Sequence, residues 1–176
     1  MREKQIKLYL IIKLVLFALI GAEILIIRTF LLEHLRFFIG GLLILYAVEE
    51  FSYAFIFERK NILARDKFFV GAVEFVFGFV VLIFDLSFES VCVVWGTWSI
   101  LRESFEIREM ITETQHIPVK IISGIESTVV LILFTTLIIS PTEHEAGIHL
   151  YVMLPELLLN PLVPLIDLML PSKKKN

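Results

Sequence analysis

Seven glutamates sit inside long apolar runs of this chain: Glu23, Glu49, Glu50, Glu74, Glu103, Glu126 and Glu156. A carboxylate at the centre of a bilayer costs about 2.5–3.5 kcal/mol on insertion scales, so such side chains must face one another, water or a partner. Acids gathered in this way can exchange protons or hold a cation. They cannot all be ionised together in a low dielectric, and several are expected to be neutral at neutral pH. Arg102 is the one cation deep in an apolar run, and Glu106 follows it by one helical turn, which predicts a mixed Arg–carboxylate cluster. Trp98, four residues before Arg102, is spaced to stack on the guanidinium. Two uses of this belt are open from the sequence. One is a buried polar network that fixes helix pairing; the other is a site that binds protons or a cation and releases them to one side.

Other chemistry finds little support. Cys92 is the single cysteine, which excludes an intramolecular disulfide and a CxxC metal knuckle. The four histidines, His34, His116, His144 and His149, fall at the edges of apolar runs, and His144 between Glu143 and Glu145 reads as solvated loop. Nucleophile elbows, HExxH helices, phosphate loops and dinucleotide turns are missing from the sequence, so no enzyme, metal or cofactor is expected.

The elements that carry these acids must lie in a membrane. The 176 residues are 57% hydrophobic with a mean hydropathy of +0.85, far too apolar for a soluble domain of this size. A helix needs about 20 apolar residues to cross the hydrocarbon. Six stretches approach that length: Leu14–Leu32, Phe37–Phe57, Phe68–Phe84, Val91–Ile107, Pro118–Ser140 and Ile148–Leu170. Residues 1–13 read as an amphipathic lead-in or an early start to the first span, and residues 171–176 as a basic tail held by anionic lipid.

Charge sorts the connections. Arg2, Lys4, Lys7, Lys13, Arg59, Lys60, Arg65, Lys67, Arg108, Lys120 and Lys173, Lys174 and Lys175 flank one side, against Arg28 and Arg36 on the other. Lys and Arg resist translocation, so both termini are expected in the cytoplasm of a multi-pass protein of the inner cell membrane. The formal net charge of −3 gives no basic surface for nucleic acid. Membrane lipids, further copies of the chain or other membrane proteins are the expected partners.

Self-similarity organises the spans. Gly21-Ala22-Glu23, Ala72-Val73-Glu74 and Gly124-Ile125-Glu126 recur in odd-numbered spans, and Glu50, Glu103 and Glu156 recur at intervals of 53 residues in even-numbered ones. This predicts an all-α membrane protein of three repeated hairpins, about 14–57, 68–107 and 118–170, around a pseudo-threefold axis. The small residue two positions before each odd-span glutamate is expected to let backbones approach. The layout, together with VGAVEFVFGFVVLIF and VWGTWSILRESFEI, resembles the HdeD-like family of small bacterial membrane proteins linked with acid resistance. The chain departs from that family's pattern in its many intramembrane glutamates and in matching the outer-bend proline only at Pro141. The resemblance implies a non-enzymatic protein of the acid-stress type and assigns no catalytic residue; a small proton or cation transporter is the alternative.

Overall fold

In the computed structural model the described residues are 2–57, 62–113 and 116–170. The basic tail at 171–176, with Lys173, Lys174 and Lys175, and the middle of the second connection, with Arg59 and Lys60, lie outside them. Every regular element among the described residues is an α-helix: α1 (Arg2–Glu33), α2 (Leu35–Phe57), α3 (Ile62–Ile83), α4 (Phe88–Glu113), α5 (Ile117–Ile139) and α6 (Glu143–Met169). Four of them, α1, α2, α5 and α6, are long and apolar enough to cross a membrane. Charged residues interrupt the other two, among them Asp66, Lys67 and Glu74 on α3 and Arg102, Glu103, Glu106 and Arg108 on α4.

Helix α1 runs through residues 2–13 into the first apolar stretch without a break, with one non-helical residue, Ile27, at φ −120° and ψ 27°. Its neighbours turn over tightly. His34 separates α1 from α2, and the Ser87 hydroxyl caps α4 by accepting from Ser90 N at 3.3 Å. Thr142 caps α6 in the same way, accepting from Glu145 N at 3.2 Å. Helix α6 stays helical through Pro155, Pro161 and Pro164.

The most extensive packing joins α2 to α3, α4 to α5 and α6 to α1. Glycines mark each of these seams. A Cβ on Gly78 of α3 would lie 3.0 Å from the Gly40 carbonyl oxygen of α2, and one on Gly96 of α4 would lie 2.6 Å from Ile138 of α5. Of the two glycines in the small-residue series, Gly21 packs on Leu154 of α6, whereas Gly124 has only Met110 at 4.0 Å. The Gly21 contact is with a side chain of α6 and not with a neighbouring backbone, and Gly124 has more room still.

Helix α4 is the central stave. Its buried side is Val91, Cys92, Trp95, Trp98, Ser99, Arg102 and Glu103, spaced three and four apart as one helical face. Along that face the chemistry changes from apolar to charged. At the α4 N-terminal end the core is Val91, Trp95, Phe134, Leu137 and Leu150; toward its C-terminal end it becomes Arg102 and carboxylates.

Candidate functional site

The charged part of the core opens into a cavity of about 320 Å³ at the end of the bundle where α1 begins and α6 ends. All six helices reach it. Helix α1 brings Tyr9 and Lys13, α2 brings Glu49, Glu50 and Tyr53, α3 brings Lys67, α4 brings Arg102 and Glu106, α5 brings Glu126, and α6 brings Asn160 and Asp167. Leu10, Met110, Val119 and Val163 supply apolar wall between them.

Arg102 is the hub. Its Nη1 donates to Glu74 at 2.7 Å and its Nε to Glu106 at 2.9 Å, while the guanidinium carbon lies 3.9 Å from the Tyr46 ring centroid. Trp98 is farther, at 5.8 Å, so the expected indole contact exists but Tyr46 covers the guanidinium more closely. Asn160 steadies Glu106 by donating to it at 2.7 Å. A guanidinium that is 4% exposed needs such a shell, since an unpaired charge there would be strongly destabilising.

Two lysines neutralise the α2 acids. Lys13 stands 2.9 Å from Glu49, which also accepts from the Tyr9 hydroxyl, and Lys67 stands 3.6 Å from Glu50. At the mouth His116 Nδ1 lies 2.8 Å from Asp167, tying the start of α5 to the end of α6. Arg108 and Asp66 pair at 2.8 Å between α4 and α3.

No cation is paired with the remaining acids. Glu103 is fully buried, with the Ser127 side chain as its polar neighbour and no cation paired with it among the described residues. Glu126 and Glu156 each leave one buried oxygen without a partner, and the three lie within electrostatic reach of one another. Among the described residues, Glu49, Glu50, Glu74, Glu103, Glu106, Glu126 and Glu156 share only Lys13, Lys67 and Arg102 as paired or neighbouring cations. The surplus of negative charge lies on the α4, α5 and α6 side.

Comparison with family models, curated proteins and solved structures finds no match.

Six of the seven glutamates singled out by the sequence, with Arg102 and Glu106, thus belong to one network. Glu23 stands apart: it is exposed on the outward face of α1 beside Leu19 and Ile26, and it makes no hydrogen bond or ion pair among the described residues. Sequence reasoning passed over Tyr46, Asn160, Lys13 and Lys67 as members of the site. Asn160 follows Glu156 by one turn and Tyr46 precedes Glu50 by one turn, so helical spacing carried a signal for both. The lysines read as boundary charges because nothing in their spacing says that they bend inward.

The other end of the bundle is filled by aromatic side chains. Trp95, Phe134 and His149 pack together there, with ring centroids 5.1–6.2 Å apart. His149, placed by the sequence at the edge of an apolar run, is fully buried, with Nδ1 facing the Glu145 carbonyl and Nε2 the Leu133 carbonyl. At that end Arg36 pairs with Asp85, and the exposed Glu89 occupies the first turn of α4. Its own backbone N–H and the Ser87 hydroxyl hold the Glu89 carboxyl below the usual carboxylate range.

Proposed function

We propose that the chain is a non-enzymatic, multi-pass membrane protein of the acid-stress type, in which the buried carboxylate network braces the helices and takes up protons as the adjoining solution acidifies. The observation that carries this reading is the imbalance of charge: seven network carboxylates are set against three cations, and four of those carboxylates, Glu49, Glu50, Glu106 and Glu126, line the cavity. Uncompensated carboxylates in low dielectric repel one another, and protons are the counter-charge always at hand. The basic residues clustered at the open end support a cytoplasmic mouth, with both termini inside an inner-membrane protein.

Six spans in three units complete the proposal. It is supported by the exposed Phe68, Phe69, Phe75, Phe79 and Phe84 on or beside α3, which suit a lipid-facing surface. The alternation of closely packed seams, α6 with α1, α2 with α3 and α4 with α5, has the period that three repeated units require. The HdeD-like resemblance points the same way. Against transport stands the apolar layer of Trp95, Phe134, Leu137 and Leu150 beyond the cavity, which offers no polar track to the other end.

Thermal melting of the purified protein in detergent between about pH 4 and 7 tests the reading. The melting temperature should change across that range, and Glu103→Gln with Glu126→Gln and Glu156→Gln should flatten the profile. A flat wild-type profile would remove the proposal. Proton flux in liposomes that disappears in Glu126→Gln would replace it with the transport reading.

A further inference from the structure

We infer that the cavity is a binding site for an organic ammonium with a short apolar tail. This deepens the function proposed above, since it rests on the same surplus of carboxylate and names a ligand that neutralises it.

Three observations converge. First, buried carboxylate oxygens short of hydrogen bonds line the cavity: Glu126 Oε1 has no partner, and Glu50, 3% exposed, is ion-paired with Lys67 at 3.6 Å but accepts no hydrogen bond at Oε2. An unsatisfied buried acceptor is destabilising, more so when charged, and an ammonium offers three N–H donors together with the missing positive charge. Second, the volume of about 320 Å³ is too large for a bare ion and falls in the range of small organic ligands. Among the described residues no group of three His, Cys, Asp or Glu side chains is placed to hold a metal ion. Third, the wall carries Leu10, Met110, Val119 and Val163. Apolar surface beside orphan carboxylates suits a molecule with one cationic head and a hydrocarbon body, and the same surface would gain nothing from a hydrated inorganic cation.

Two sources supply this chemistry, a free alkylamine and the ammonium headgroup of an aminophospholipid. Both would enter at the end of the bundle where the cavity-lining Lys13, Lys67 and Asp167 are partly exposed.

The experiment uses the full chain in nanodiscs of lipids that carry no primary amine. Hexylammonium is titrated at neutral pH, with hexanoate as the matched anion, and binding is read calorimetrically and as a rise in melting temperature. Hexylammonium should bind and stabilise; hexanoate should not. Glu126→Gln should weaken hexylammonium at least about tenfold, the scale of one lost charge-assisted contact. Met110→Trp, which fills the cavity and leaves every acid in place, should abolish binding even if the Gln variant folds poorly, while Glu23→Gln should bind as the wild type does. Repeating the titration with phosphatidylethanolamine in the disc separates the sources: competition assigns the site to the headgroup, and an unchanged affinity assigns it to a free amine. Equal binding of hexanoate, or hexylammonium affinity unaltered by both cavity variants, overturns the inference. If hexylammonium fails to bind while the melting temperature still follows pH, only the ligand assignment falls; if the pH dependence is also absent, the proposed function falls with it.

Discussion

Arg102 shows how much one side chain decides in a low dielectric. It bonds Glu74 and Glu106 from different nitrogens and packs against Tyr46, so its removal strands a carboxylate that is 1% exposed. Arg102→Leu should cost about 3–5 kcal/mol in unfolding titrations, and adding Glu74→Leu should return most of that loss, because a pair replaced by apolar volume leaves no stranded charge. Arg102→Lys should fall between, since an ammonium lacks the planar fork that reaches two carboxylates at once. Glu23 should behave oppositely: it touches no polar group, so Glu23→Leu should leave the melting temperature in detergent unchanged. Glu89, at the other end, gives a local pH dependence whose sign is fixed. Its carboxyl is held below the usual range in the folded state, so its contribution is present above the unfolded value near 4.3 and is lost as pH falls through the folded value. The protection factors of the Ser90 and Val91 amides, corrected for the intrinsic pH dependence of exchange, should therefore fall in acid, and Glu89→Gln should remove that dependence.

At the level of elements, what could be read from the chain and what could not divide along a physical line. Apolar length and charge give the six helical stretches, because desolvation is a property of composition. Burial was partly legible: the equally spaced Glu50, Glu103 and Glu156 are all buried, although of the three Glu50 alone lines the cavity. Neighbour identity was not legible. The Gly21, Ala72 and Gly124 series suggested the close seams, yet tight packing at α2 and α3 runs through Gly40 and Gly78, since only the facing surface decides which small residue is needed. Residues 2–13 join α1, from which Lys13 finds Glu49 across the bundle. The seam makes a direct test. Gly78→Val puts a Cβ 3.0 Å from a backbone oxygen that cannot rotate away and should cost about 1–3 kcal/mol, whereas Gly41→Ala, with nothing within 4 Å, should be neutral or slightly stabilising.

Over the whole molecule the charged groups of the core collect toward one end and the aromatic and aliphatic groups toward the other. Rigidity should follow the same division: the apolar end is close-packed around Trp95, and the charged end encloses empty volume. The division also has an electrical consequence. Across a polarised bilayer the potential falls mainly where polarisable charge and water are scarce, which here is the layer built on Trp95, Phe134, Leu137 and Leu150. The open cavity would then sit close to the potential of the solution it faces. A charge that crossed the full field would gain or lose about 2.3 kcal/mol per 100 mV, roughly fiftyfold in affinity, but one that travels only to Glu126 should feel a small part of it. Hexylammonium affinity measured in vesicles clamped at opposite polarities should accordingly differ by less than about threefold, so that the network answers to the chemistry of one compartment and is nearly blind to membrane voltage.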